Sequence, residues 1–357
     1  PSPAPPPTHI YTYTESSAAS DVYKRQTMNT STSQCRYVTV NPDNHHLAIA
    51  TGPIPEPGPG EVLIKVHSAG LNRADLLQRR GLYPPPEDAS PVMGLEVAGT
   101  VEAVGANAGK WLPGDKVCAL THGGGYAEYA VAPAGQCLPI PSGFSKGEAA
   151  ALPEALLTIW HNLFQRAKLQ STEKVLIHGG ASGIGTLGIM MCATMGAEVY
   201  TTAGTDEKCR ALEGRGATRA INYKTEDFEA VLTEMGLKNR INVILDMIGG
   251  DYIQKNINVA APEGRIVNIA FMNGFKAEVN FAPLLMKRIT LTGSTLRAQS
   301  FAQKTAMVEE IMTHIFPHLE SGEIKPVIDS IYPLEQVEQA HGHMEGGQHM
   351  GKIVLRM

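Results

Sequence analysis

The stretch that most constrains this chain covers residues 174–188, KVLIHGGASGIGTLG. Val175, Leu176 and Ile177 form a short apolar run of the kind buried as a parallel strand, and the run breaks at Gly179 and Gly180 into a glycine-rich turn. Ile184, Leu187, Ile189, Met190 and Met191 then resume at helical spacing. Inside this strand, turn and helix, Gly183, Gly185 and Gly188 spell G-x-G-x-x-G, the dinucleotide fingerprint in the context that gives it meaning. The spacing predicts a tight turn at the first glycine, close backbone approach to a pyrophosphate at the second, and close packing of helix on strand at the third. Unpaired amides at the helix start, reinforced by the helix dipole, would face the phosphates.

A chain of 357 residues can bury two sizeable cores. A formal net charge of -5 argues against a nucleic-acid footprint or an anionic-membrane surface. No apolar run reaches the roughly 18 residues needed to span a bilayer. Cys35, Cys118, Cys137, Cys192 and Cys209 fall without C-x-x-C spacing, which argues against a disulfide framework or a structural zinc lobe and predicts a reducing, cytoplasmic setting.

Residues 1–27 are proline-rich and then aperiodic, the pattern of a disordered or artefactual tail. Within them DVYKRQ (21–26) resembles the translation of a sequencing-library linker, so the native chain is expected to start at Met28. From Gln34 onward, CRYVTV, EVLIKVHSAG, EVAGTVEAVG, DKVCAL and AEYAVA read as short strands separated by glycine and proline, the signature of a small, mostly antiparallel barrel or sandwich. A helix of about three turns is predicted over 71–80 and another helix over 145–164. Beyond the glycine-rich turn, strands at 198–202, 220–223, 242–246, 265–270 and 289–292 alternate with helices at 206–214, 226–235 and 251–260. That alternation predicts an α/β, parallel, doubly wound sheet with its ligand beyond the carboxyl ends of the strands. An amphipathic helix over 300–320 and two strand-like pieces, VIDSIY and GKIVLRM, cannot extend this sheet without another crossover. They are assigned back to the first domain. The nucleotide domain, 153–295, is thus expected to interrupt a mostly β domain made of 28–152 and 296–357, with a cleft between the two.

The second strand bears on which coenzyme is bound. Enzymes that use NAD place Asp or Glu about 20 residues after the glycines to hold the ribose 2′-hydroxyl. Here that place reads TTAGTDEK, with Ala203, Gly204 and Thr205 at the strand end and no carboxylate before Asp206. The missing acid removes repulsion against a 2′-phosphate, while Thr205, Lys208 and Tyr223 can supply donors and charge. NADPH is favoured over NADH on this pattern.

The ordered set NRAD (72–75), RGLYPPP (80–86), GLEVAG (94–99), GDKV (114–117), GGGYAEY (123–129), PEALLT (153–158), the glycine turn and GKIVL (351–355) resembles the zinc-free quinone oxidoreductases. These are a branch of the medium-chain dehydrogenase/reductase superfamily. The likeness runs from about Cys35 to the C-terminus, and the pattern is nearest the tumour-suppressor-inducible NADPH quinone oxidoreductase type. It implies a Rossmann sheet inserted into a GroES-like catalytic domain, and homodimers joined through the edge strand near residues 289–294. It also implies cofactor contacts from Thr158, Ser182, Gly183, Ile184, Gly185, Thr186, Ile248, Phe271, Ser294, Leu296 and Arg297. Close relatives often carry Asn where this chain has His349, which leaves a contact there open.

Zinc members of the superfamily carry a Cys ligand near the position of Asn72 and a His in a G-H-E segment that here reads GLE, with Leu95. Leucine has no lone pair, so no metal is expected. The remaining cluster of His341, His343 and His349 reads as solvated loop histidines. Without a Lewis acid, a quinone is a better acceptor than a simple carbonyl. The resemblance puts Tyr83 and Asn72 beside the nicotinamide, where a phenol or an amide can hydrogen-bond a developing quinol oxygen. The rival acceptor is an activated C=C bond in an enone or alkenal. The rival class is a non-enzymatic NADPH- or RNA-binding protein, which the acidic charge argues against.

Overall fold

The computed structural model describes residues 33–357, so the expectations about residues 1–27 and a start at Met28 lie outside the described residues. β1 (Gln34–Val40) and β2 (Leu47–Pro53) pair as an antiparallel hairpin. β3 (Glu61–Gly70), β4 (Glu96–Val104), β5 (Lys116–Leu120), β6 (Tyr129–Pro133) and β7 (Cys137–Pro139) follow, all antiparallel to their neighbours. β8 (Lys174–Ile177), β9 (Glu198–Ala203), β10 (Ala217–Asn222), β11 (Ile241–Asp246), β12 (Ala260–Asn268) and β13 (Thr290–Gly293) form a six-stranded, wholly parallel sheet of order β10-β9-β8-β11-β12-β13. The chain winds outward from β8 to β10, then returns to lay β11 on the other side of β8. That reversal opens a crevice at the carboxyl ends of β8 and β11. β14 (Ile328–Pro333) and β15 (Lys352–Arg356) rejoin the first sheet, giving the order β14-β15-β3-β4-β5-β7 with β6 paired on β3. β14 and β15 run parallel to each other, the one parallel pair of that sheet.

The unbroken apolar run of β8 has a direct cause. Val175 and Ile177 enter the core that also holds Leu156, Ile159, Ile189 and Ile311, while Leu176 enters the core on the opposite face with Tyr200, Ile244 and Ile266. A strand covered on both faces has no polar side to alternate with. A third core, with Val62, Ile64, Val97, Tyr126 and Leu355, fills the first lobe.

Several predicted helices are shorter or broken, 226–235 being Phe228–Glu234 and 251–260 being Tyr252–Val259. The one at 71–80 is Arg73–Arg79, held at its start by reciprocal bonds between Asn72 and Asp75. The 145–164 segment divides into Lys146–Ala150 and Pro153–Ile159, which runs on as a π-helix over Trp160–Arg166. Pro153 lacks the amide needed to continue the first piece and is suited to open the second. The 300–320 segment divides into Phe301–His314 and Phe316–Glu320 for the same reason at Pro317. No helix among the described residues is long and apolar enough to cross a membrane. The five cysteines are unpaired and buried.

Candidate coenzyme site and substrate cleft

After β8 the chain turns through Gly179, which adopts the left-handed φ of +67°. The tight-turn role predicted for Gly183 therefore falls to Gly179. Gly183 is required for a different reason: a Cβ there would lie 2.1 Å from Cδ of Lys352. A Cβ on Gly185 would lie 2.4 Å from the Gly179 carbonyl oxygen, whereas one on Gly188 would meet nothing nearer than 3.4 Å, an ordinary contact. The packing requirement predicted for the third glycine is absent. Ser182 caps the helix Gly183–Thr194, its Oγ accepting from the Gly185 amide at 2.9 Å, and Thr186 Oγ1 donates to the Ser182 carbonyl at 3.0 Å. The amides of Gly183 and Ile184, in the first turn, have no intrahelical partner; that of Gly183 faces the Gly351 carbonyl across the parallel bridge between Ser182 and Gly351, and that of Ile184 is open to an anion.

At the end of β9, Gly204 leads into Thr205, whose Oγ1 accepts from the Lys208 amide at 3.2 Å. A Cβ on Gly204 would lie 2.7 Å from the Tyr223 hydroxyl and 3.5 Å from Cε of Lys224. Gly204, Thr205, Lys208 and Tyr223 are thus brought together, and Lys224, missed in the sequence, joins them one residue past Tyr223. The Lys208 ammonium donates to the carbonyls of His349 at 2.9 Å and Gly347 at 3.3 Å. Burial lowers its pKa, the charge of Lys224 adds to the shift, and Asp329 opposes it. His349, the departure noted above, has a buried Nδ1 with no hydrogen-bond partner among the described residues.

Asp246, fully buried at the end of β11, was also missed. Its Oδ1 accepts from the amides of Ile248 at 2.7 Å and Gly249 at 3.1 Å, and its Oδ2 from Asn256 at 3.1 Å and Asn268 at 3.0 Å. Four donors fix the loop that carries Ile248. Phe271 stands half exposed beyond β12, and Leu296 is buried. Ser294 Oγ donates to Asn162 Oδ1 at 2.7 Å, and Asn162 in turn donates to the Thr158 carbonyl at 2.8 Å.

On the substrate side the Arg297 guanidinium lies over the Tyr83 ring, 5.3 Å from its centroid. Arg297 donates to Gln78 at 2.9 Å, while its Nε and Nη1 are buried without a partner among the described residues. Burial raises the Tyr83 pKa in spite of the nearby Arg297 charge. Asn72 is committed on both sides of its amide: Nδ2 donates to Glu96 Oε1 at 2.9 Å and Oδ1 accepts from Lys352 Nζ at 2.8 Å. Lys352 also pairs with Glu96, and both are buried. Asp75 accepts from the Asn72 amide and the Tyr126 hydroxyl, each at 2.8 Å, and burial pushes its pKa up to about 6. Glu154 rises to about 8 through burial and the charge of Glu96.

These residues do not fit a zinc ion. The two positions that carry ligands in zinc members hold an amide already spent on Glu96 and Lys352, and Leu95, which is buried and has no lone pair. Among the described residues no group of three or more His, Cys, Asp or Glu is placed to hold a metal ion. The histidine cluster is also corrected: His341 and His343 are not loop residues but lie in the helix Val337–Gly346, His341 fully buried and His343 hydrogen-bonded to Tyr332 at 3.0 Å.

A doubly wound sheet with a glycine-rich turn at its switch point, facing a mostly β lobe, defines a two-lobed dinucleotide-binding oxidoreductase. Residues 58–142 match the alcohol dehydrogenase GroES-like domain and residues 215–355 match the zinc-binding dehydrogenase family. The synaptic vesicle membrane protein VAT-1 homolog of Homo sapiens is 31% identical over 318 residues, covering 84% of this chain and 80% of that protein. The quinone oxidoreductase of Rattus norvegicus is 30% identical over 307 residues, covering 85% and 91%. Escherichia coli quinone oxidoreductase complexed with NADPH superposes with a TM-score of 0.79 at 25% identity over 90% of this chain and 100% of that one. The CurK enoyl reductase does so with a TM-score of 0.79 at 26% identity over 91% and 100%. The chain belongs to the medium-chain dehydrogenase/reductase superfamily.

Proposed function

We propose that this chain is an NADPH-dependent quinone reductase that works without zinc. The observation that carries the coenzyme choice is the end of β9, where Gly204, Thr205, Lys208, Tyr223 and Lys224 converge with no carboxylate ahead of Asp206. A 2′-phosphate finds two ammonium groups and a phenol there, and charge-assisted bonds from them favour it over a bare ribose hydroxyl. When bound, the coenzyme supplies a hydride from C4 of its dihydronicotinamide. The chain's part is to hold the diphosphate at the start of the helix Gly183–Thr194, on the Ile184 amide, and to wall the cleft with Ile248, Phe271 and Leu296. It also offers a donor to the acceptor oxygen as negative charge develops there. Of the two residues expected in that role, we assign it to Tyr83, whose hydroxyl is the stronger donor, while Asn72 keeps only the second N–H of an amide otherwise bonded to Glu96 and Lys352.

The enoyl reductase likeness keeps one second reading in view, reduction of an activated C=C bond in the same cleft. Steady-state rates with NADPH and 1,2-naphthoquinone against a 2-alkenal separate the two. Quinone turnover at least tenfold the faster (about 1.4 kcal/mol) supports the proposal. Faster alkenal turnover replaces it, and NADPH binding with no turnover of either acceptor makes the chain a non-enzymatic binder. We further propose a homodimer through the edge strand β13, which exposes Leu291 and is preceded by the exposed Phe281, Leu285 and Met286. Light scattering on the purified protein tests it, and a monomer refutes it. Five unpaired, buried thiols suit a reducing compartment such as the cytoplasm.

A further inference from the structure

We propose that Lys352 is a positioning residue for the coenzyme: its buried ammonium, anchored on Asn72 and Glu96 of its own lobe, holds the lysine stem against the dinucleotide turn of the other. Its kinetic consequence rests on the NADPH reading above; its structural consequence does not. The segment leading into β15 straddles the glycine-rich turn. Gly347 and His349 accept from Lys208 through their carbonyls, and the Gly351 amide donates to the Ala181 carbonyl at 2.8 Å. Gly351 has φ +90°, and a Cβ there would lie 2.2 Å from the Val327 carbonyl oxygen, so only glycine lets the chain pass this close.

The Lys352 side chain then crosses Gly183, with Cδ in the space a Cβ would take, and ends on Glu96 Oε1 and Asn72 Oδ1. Glu96 completes the junction by accepting from Asn72 Nδ2 at 2.9 Å and, through Oε2, from the Glu154 amide at 2.9 Å. The helix that starts after Asn72 and β4 therefore meet at the Lys352 nitrogen, the glycine turn packs on the stem below it, and the helix Pro153–Ile159 joins through Glu96. The absence of a side chain at Gly183 is what leaves a channel for the lysine stem. A buried ion pair contributes little net stability against well-packed apolar residues, yet losing one partner leaves the other charge stranded. Stability alone is thus a poor reason for this pair, whereas a fixed spacing between turn and cleft is one.

Lys352→Met and the charge-balanced Lys352→Met/Glu96→Gln test this beside the wild type. Three quantities are read: the thermal midpoint, hydrogen exchange of the peptide covering residues 179–188 in the free protein, and NADPH affinity by nucleotide fluorescence. The single variant should melt lower because it strands Glu96, and the double variant should recover much of that loss. Both should exchange faster at 179–188 and bind NADPH about tenfold more weakly, because the backbone bond from Gly351 to Ala181 stays but neither variant holds an anchored stem against Gly183. A double variant with wild-type exchange and wild-type NADPH affinity overturns the pin and leaves an ion pair with a stability role alone. If the single variant does not fold, the double variant decides. If the wild type binds no NADPH, the coenzyme reading fails, and the exchange comparison still judges the pin.

Discussion

His341→Leu should make the protein less sensitive to acid. The imidazole is fully buried, edge-on to Tyr126 at 5.9 Å between centroids, and neither ring nitrogen has a hydrogen-bond partner among the described residues. Burial pushes its pKa from 6.5 down to about 4, with the Arg79 charge adding and Glu338 opposing. Because the folded value is the lower one, the unfolded chain takes up this proton first as the pH drops. The stability that comes from keeping His341 neutral is complete above pH 6.5 and is lost progressively toward pH 4. With these two values the loss is about 2 kcal/mol at pH 5 and approaches about 3 kcal/mol once the folded protein protonates as well. Asp75 and Glu154, whose pKa values are raised, change stability in the opposite direction in both proteins, so the difference between wild type and variant isolates the histidine. Urea unfolding at pH 7.5 and pH 5 measures it. An equal acid-induced loss in both proteins would refute the reasoning.

The remaining predictions concern the site. Lys208→Met should raise the KM for NADPH by about tenfold to a hundredfold and leave that for NADH unchanged, since it removes one charge-assisted bond to a phosphate; an equal effect on both coenzymes would remove Lys208 from the 2′-phosphate site. Tyr83→Phe should lower kcat/KM for the quinone about tenfold with no change in NADPH affinity, because only the hydroxyl is lost; an unaltered kcat/KM would exclude help from that hydroxyl. Gly185→Ala places a methyl group 2.4 Å from a backbone oxygen that has no rotamer to move to, so it should cost about 1–3 kcal/mol and weaken NADPH binding. Wild-type melting and affinity in that variant would show that the turn can shift freely.

The parallel sheet was legible because its central strands are covered on both faces, which leaves a run of apolar residues that no other strand environment requires. The glycine turn and the corner at Gly204 and Lys208 were legible because each is local, a few residues in a row. What escaped notice is what depends on distant pairs. Nothing near Lys352 in sequence announces Asn72 or Glu96, and Asp246 looks like an ordinary strand-end carboxylate until four donors surround it. Helix lengths were overdrawn where a proline sat inside an amphipathic pattern, at Pro153 and Pro317. The burial of His341 did have a signal: Val337, Ala340, His341 and Met344 keep the spacing of one helical face, and the histidine was read from its type rather than its place in that pattern.

The last strand of the first lobe has a consequence for how the molecule is made. β15 lies between β14 and β3, pairing Val354 with Gly70 and Leu355 with Ala69. On a ribosome the residues of the parallel sheet all emerge in one uninterrupted block, so that lobe can assemble while synthesis continues. Its neighbour must wait, with Ser68, Ala69 and Gly70 of β3 lacking their β15 partners and Glu96 facing no ammonium, until residue 356 leaves the exit tunnel. Those three residues are then an open sheet edge that only the end of the chain closes.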